Sequence, residues 1–192
     1  MNYTKLFSVF AFVALAVLSL GFASATTLAT WPLTTDGIAT PVATNVNAGV
    51  FTMSSSISPS GTNGFGPNGA TASSWPTTTS LDVQKYFEVT ISPTAGNNLV
   101  INSINFFHLS SSTGPATYEI KYSKETNFNN PTSLTTSPVS IPSSTTPIDG
   151  SISSLNIPVN NGETLRIRWF AYGSTSAAGT WRINSATSTP TP

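Results

Sequence analysis

The sequence predicts an all-β domain: a two-sheet antiparallel β-sandwich of jelly-roll-like outline. Three observations carry this. Runs of β-branched and aromatic residues alternate with Gly, Pro, Asn and Ser punctuation at intervals of roughly ten residues. No window of useful length repeats apolar residues at the i, i+3, i+4, i+7 spacing of a helix. About eight or nine strands without crossover helices mean antiparallel sheets. One sheet cannot bury so many apolar faces, so two must pack face to face.

The strands read in order as follows. TLATWPL (27–33) is a first strand, and VATNVNAGVFTMSSS (42–56) a second with a kink at Gly49. SISPSGTNGFGPNGATASSWP (56–76) is a Gly/Asn/Pro loop carrying Phe65 and Trp75. YFEVTISP (86–93) alternates, with Phe87, Val89 and Ile91 on one face and Tyr86, Glu88 and Thr90 on the other. TAGNN (94–98) turns the chain. NLVINSINFFHLSS (98–111) is a long strand whose period slips around Ser103, which reads as a bulge. ATYEIKYSK (116–124) sets Tyr118, Ile120 and Tyr122 against Glu119 and Lys121. Then come LTTSPVSIP (134–142), SISSLNIPV (151–159) and a closing pair, TLRIRWFAYG and TWRINSAT.

The two ends differ from the body. Lys5, the apolar run Leu6–Leu20 and the small residues Ala23 and Ala25 form a secretory signal pattern, with cleavage expected after Ala25. The run is short for a membrane span, which takes about 20 apolar residues, and no second run is long enough. The sandwich is assigned to 26–186. TSTPTP (187–192) reads as a Thr/Pro tail or the start of a linker. The expected location is secreted or at the cell surface.

Composition narrows the function. Of the 192 residues only 7% are charged, with Lys+Arg and Asp+Glu at 7 each. Cleavage removes Lys5 and leaves 6 basic residues, a net charge of about −1. A basic nucleic-acid surface is thereby excluded. With no cysteine there is no disulfide and no thiolate chemistry. The chain after Ala25 has no N-x-Ser/Thr sequon, while the Thr/Pro tail leaves O-linked sugars open.

The closing pair holds the unusual chemistry. Read as a hairpin with Tyr172 opposite Thr180, it places Leu165, Ile167, Trp169, Ala171, Trp181 and Ile183 inside. Arg166, Arg168, Phe170, Tyr172 and Arg182 then share the outer face as candidate ligand-binding residues. Guanidinium planes and aromatic rings suit sugar hydroxyls and sugar faces. The bland reading is that arginine stems cover the rings and keep a solvent-facing sheet soluble.

Three stretches also carry a resemblance. YFEVTISPTAG (86–96), GPATYEIKYS (114–123) and AYGSTSAAGTWRINS (171–185) are similar to successive motifs of a β-sandwich module of secreted and cell-surface microbial proteins. The resemblance spans about 30–187 of this chain. It implies an accessory unit of larger exported proteins, similar in outline to carbohydrate-binding and adhesion sandwiches, with no family-wide catalytic activity. Where members often carry Asp-Asn, this chain has Asn184-Ser185, so a cation site built on that aspartate would lack its carboxylate here.

Other candidates are weaker. His108 is the only histidine, too few for a zinc site or a supported catalytic triad, and reads as a hydrogen-bonded strand residue. A glycosidase needs two carboxyls facing across a cleft. Among Asp36, Asp82, Glu88, Glu119, Glu125, Asp149 and Glu163 only Glu88 and Glu119 fall on strands that could be neighbours, and Lys121 or Lys85 explains Glu119 as easily. Asp36 (LTTDG) and Asp149 (PIDG) are the candidate ligands of a structural Ca²⁺, although Asp-Gly is equally a turn signal. No other cofactor is implied. GTNGFGPNGA (61–70) lacks the GK[ST] and helix of a phosphate loop. Phe65 and Trp75 offer rings either for stacking on a sugar or for pinning this loop to the core. The expected function is a non-catalytic exported module for binding or adhesion, with glycans as the leading partner. The alternatives are a self-associating structural subunit and, further off, a glycan hydrolase.

Overall fold

Alternation decides which side of each strand goes inward, and burial follows it closely through the long strands. The computed structural model describes residues 26–184 apart from 62 and 143. The expected signal segment 1–25 and tail 187–192 lie outside the described residues. No helix among the described residues is long and apolar enough to cross a membrane.

The strands are β1 (Val46–Ala48), β2 (Thr52–Met53), β3 (Ser58–Pro59), β4 (Ala70–Ser73), β5 (Phe87–Pro93), β6 (Leu99–Ile101) and β7 (Phe107–Ser110). They continue with β8 (Thr117–Ser123), β9 (Thr132–Ser133), β10 (Val139–Ser140), β11 (Ile148–Asp149), β12 (Ile157–Val159), β13 (Leu165–Tyr172) and β14 (Trp181–Asn184). All pairings are antiparallel. One sheet runs β1-β5-β13-β8-β10, with β2 also on β5 and β9 also on β8. The other runs β11-β7-β14-β4-β3, and β12 pairs with β6 apart from both. The chain changes sheet between β2 and β3, β4 and β5, β7 and β8, β10 and β11, and β13 and β14, and it also crosses from β5 to β7 through β6 and from β11 to β13 through β12. The expected two-sheet antiparallel sandwich is therefore observed.

Between the sheets lies an aromatic core. From the larger sheet Phe87, Val89, Ile91, Tyr118, Ile120, Ile167 and Trp169 point inward; from the smaller, Ala70, Ala72 and Ile183 meet them. Trp181 is fully buried. It stacks on Phe87 at 5.7 Å and Tyr118 at 5.8 Å, and meets Trp75 edge-on at 5.5 Å.

Five sequence expectations are corrected. Segment 27–33 makes no strand, only a bridge from Ala29 to Val42; Pro32 and Pro41 have no N–H to extend a ladder. Segment 42–56 breaks into β1 and β2 around Gly49. A Cβ there would lie 2.1 Å from the Thr90 hydroxyl, so only glycine lets the chain pass. The slip near Ser103 is no bulge: β6 and β7 belong to different sheets. The loop 56–76 contains β4, at the heart of the smaller sheet. Its Ala70 and Ala72 leave room for Trp181, opposite Ala72 in register.

The closing hairpin is the fifth. β13 is paired along both edges, to β5 and β8, so it has no edge left for β14. β14 instead pairs with β4 and β7 in the opposite sheet. Residues 173–180 carry the chain across. Trp169 and Trp181 are nonetheless both buried, because alternation turns each toward the core from its own sheet.

Candidate binding site

Arg166, Arg168, Phe170 and Tyr172 alternate onto the outer face of β13, as expected. The flanking strands bring counter-charges into register: Arg168 sits opposite Glu88 on β5, and Phe170 opposite Glu119 on β8. Glu88, 9% exposed, accepts from Arg166 Nη1 at 2.9 Å and from Arg168 Nε at 2.6 Å. The Arg168 guanidinium lies over the rings of Tyr86 and Phe128, 3.7 and 4.1 Å from their centroids. Phe128 reaches this place from a left-handed backbone, φ 56°, a conformation costly for a bulky side chain. Phe170 is buried beneath the same two rings. The Tyr172 hydroxyl donates to Glu119 at 2.9 Å, and Glu119 also pairs with Lys121 at 3.1 Å. Burial first, then the hydrogen bond and charge of Glu119, push the Tyr172 hydroxyl up to about 12.

This face is a closed layer whose cations and rings already serve one another. Glu88 and Glu119 flank β13 from opposite sides, with β13 between them rather than a cleft. Glu88→Ala would strand two arginines. A fully buried pair so broken costs ~3–5 kcal/mol, but Arg166 keeps 26% of its side chain exposed, so the expected cost is about 2 kcal/mol. A thermal melt should show Tm lower by about 4–8 °C. An unchanged Tm would mean that the arginines are not held this way.

Arg182 does not join the patch. It lies in the other sheet, on β14, where its Nε donates to Thr71 Oγ1 at 3.2 Å. The shared-face expectation failed because it assumed that β13 and β14 pair. Asp36 accepts from the Ile38 N–H at 2.9 Å and Asp149 from the Ser151 N–H at 2.8 Å, both closing turns. Those Ser151 bonds hold the Asp149 carboxyl below its ordinary value. No group of three or more His, Cys, Asp or Glu positioned for a metal occurs among the described residues. His108 is buried in the core, its Nδ1 accepting from Trp181 Nε1 at 3.3 Å. Phe65 packs edge-on to Phe51 and Trp75 lies in the core, so both pin their loop rather than offer a stacking ring.

An open concavity lies elsewhere, in residues 74–85. It is a groove of about 590 Å³, closed on one side by Ala177 from the β13–β14 connection. Backbone bonds fix its rim: Ser74 N–H to Ala177 O at 2.8 Å, Gly173 N–H to Thr78 O at 2.9 Å, Ser174 N–H to Pro76 O at 2.9 Å. Ser74 takes a left-handed φ of 65° to make the corner. Trp75 lies behind it, buried in the core, its indole N–H donating to Ala72 O at 2.9 Å. The walls carry the hydroxyls of Thr77, Thr78 and Ser80, and the apolar Leu81 and Val83, with Val83 61% exposed. The charged groups are Lys85, whose ammonium donates to the Ser74 carbonyl, and Asp82, which accepts from the Gln84 N–H at 2.9 Å. Sequence reading passed over this stretch. The only trace was a gap between Pro76 and Tyr86 with no strand alternation.

Comparison with known proteins adds little. No family model matches the chain, and no curated protein matches it. A solved structure that it resembles is described as CpGH89CBM32-5 from Clostridium perfringens, in complex with GalNAc-β-1,3-galactose. The match covers 73% of this chain and 95% of that one, with 14% identity and a TM-score of 0.36. Overlap that low says nothing about ligand, residues or location, and the sandwich rests on its own strand pairing.

Proposed function

We propose that the chain is an exported, non-catalytic binding module that holds a saccharide in the groove of residues 74–85. The observation that carries this is the groove itself: preformed, of ligand size, and lined by hydroxyls, carbonyls and short apolar walls. One lysine and one aspartate leave it near neutral. Such a lining suits a ligand that is uncharged, rich in hydroxyl edges and apolar on its ring faces, which is the chemistry of a sugar. The rim bonds hold the site before binding, so little order has to be gained on association. The signal pattern over Leu6–Ala25 supports export.

A glycan array with residues 26–192 tests this. At least one glycan should bind, and Leu81→Asp/Val83→Asp should abolish binding without moving Tm. Arg166→Ala should leave binding intact, since Arg166 serves Glu88. An array with no bound glycan, or binding unaffected by the groove variant, overturns the reading. The binding module should also elute as a monomer from size exclusion, whereas a self-associating subunit would elute as a spread of assemblies.

A further inference from the structure

We propose that the exposed hydroxyls of residues 132–146 are acceptors for O-linked sugars. This does not rest on the groove. Between Glu125 and Asp149 there is no charged residue; 11 of the 23 residues are Ser or Thr and 4 are Pro. The fold shows where this strip lies. It supplies β9 and β10 along the outer edge of β8 in one sheet, and β11 at the edge of the other. The edge of the larger sheet is thus bordered by a charge-free strip, which then leads into β11 at the edge of the other sheet, where Asp149 supplies a charge. Sheet edges are ordinarily guarded by charged side chains. Here the four prolines interrupt the edge, and hydroxyls are the only other polar groups in 131–148.

The hydroxyls divide into used and free. Ser144 donates to the Thr146 carbonyl at 2.8 Å and shapes its turn, and Thr135 Oγ1 is buried. Thr132, Ser133, Thr136, Ser137, Ser140 and Thr145 are exposed, and none of their hydroxyls bonds to another of the described residues. Ser137 precedes Pro138, which favours an extended backbone that presents its side chain. Phosphorylation fits poorly, because a phosphate adds a charge of about −1.5 to −2 and this strip holds no Lys or Arg to receive it. A neutral sugar keeps the surface as it is and blocks strand addition at the β9–β10 edge.

The step is a glycosyl transfer from a nucleotide- or lipid-phosphate-linked sugar, catalysed by a separate transferase. The Ser or Thr oxygen bonds to the anomeric carbon, and the bond from that carbon to the donor phosphate breaks. The phosphate leaves with the electron pair, and the hydroxyl proton passes to a base of the transferase. No oxidant or reductant enters.

Intact-mass spectrometry of the protein purified from its native host tests the proposal. The mass should exceed that of the processed chain by a ladder of whole-sugar increments, and peptide fragmentation should place them within 132–146. Replacing the six free residues by Ala should remove those increments, with far-ultraviolet circular dichroism and Tm unchanged. An unmodified mass overturns it, as does a phosphate increment, or sugars confined to positions outside 132–146. Fragmentation of the unaltered protein decides the matter even if the variant fails to fold.

Discussion

Trp181→Ala should lower the stability of the sandwich by about 4 kcal/mol, the loss that truncating a large buried aromatic brings. Trp181 has no exposed surface and touches both sheets: Phe87 and Tyr118 stack with it across the core, and Trp75 meets it edge-on. Its neighbours cannot collapse into the space. Phe87 and Tyr118 are held by ladders on β5 and β8, and Ala72, opposite Trp181 on β4, is too small to fill it. Thermal unfolding should show Tm down by about 8–16 °C. A variant melting within 2 °C of the parent would mean that this ring is not between the sheets.

A contrast with Trp169 sharpens the test. Trp169 is also buried, but its indole N–H finds no partner among the described residues. Trp169→Phe removes an unsatisfied donor together with some packing, whereas Trp181→Phe leaves His108 Nδ1 without its donor. The phenylalanine change should therefore cost more at 181 than at 169.

The long strands were legible because their alternation is local: YFEVTISP, ATYEIKYSK and LRIRWFAY each state their own inner face. What alternation does not state is the partner. A strand of period two looks the same beside any neighbour, so TLRIRWFAY and TWRIN, adjacent in sequence with a short loop between, read as a hairpin. Only the claim of β5 and β8 on both edges of β13 excludes it, and that claim is made by residues about 40–80 positions away. The same gap explains Arg182, which was assigned to the right kind of face in the wrong sheet. β4 was illegible for another reason. ATAS has no large apolar residue to announce a core strand, since its task is to be small beside Trp181. The groove was illegible because its shape comes from backbone bonds between 74–78 and 173–177, which no residue type in either segment encodes.

Lowering the pH from 7 to 5 should destabilise the fold through one residue, His108. Its ring is 2% exposed, between Phe106 and Tyr118, and its Nδ1 accepts the Trp181 N–H, which requires the neutral ring. Burial lowers its pKa from 6.5 to about 4, and the nearby Asp149 carboxylate on β11 raises it only in part. In the unfolded chain the ring takes up its proton near 6.5; in the fold it resists until about 4. The unfolded state thus binds more protons throughout that interval, and stability falls as pH drops through it. The loss is about 2 kcal/mol by pH 5 and about 3 kcal/mol by pH 4. Asp149 acts in a different window. Its carboxyl lies below its ordinary value, so the stability it adds is lost only as pH falls below the carboxylate range. Between pH 7 and 5 the histidine is therefore separable, and the parent should lose about 4–8 °C in Tm. His108→Gln keeps an oxygen to accept the Trp181 N–H and has nothing to titrate, so its Tm should stay nearly flat over the same interval. An equal fall in parent and variant would place the acid sensitivity elsewhere in the sandwich.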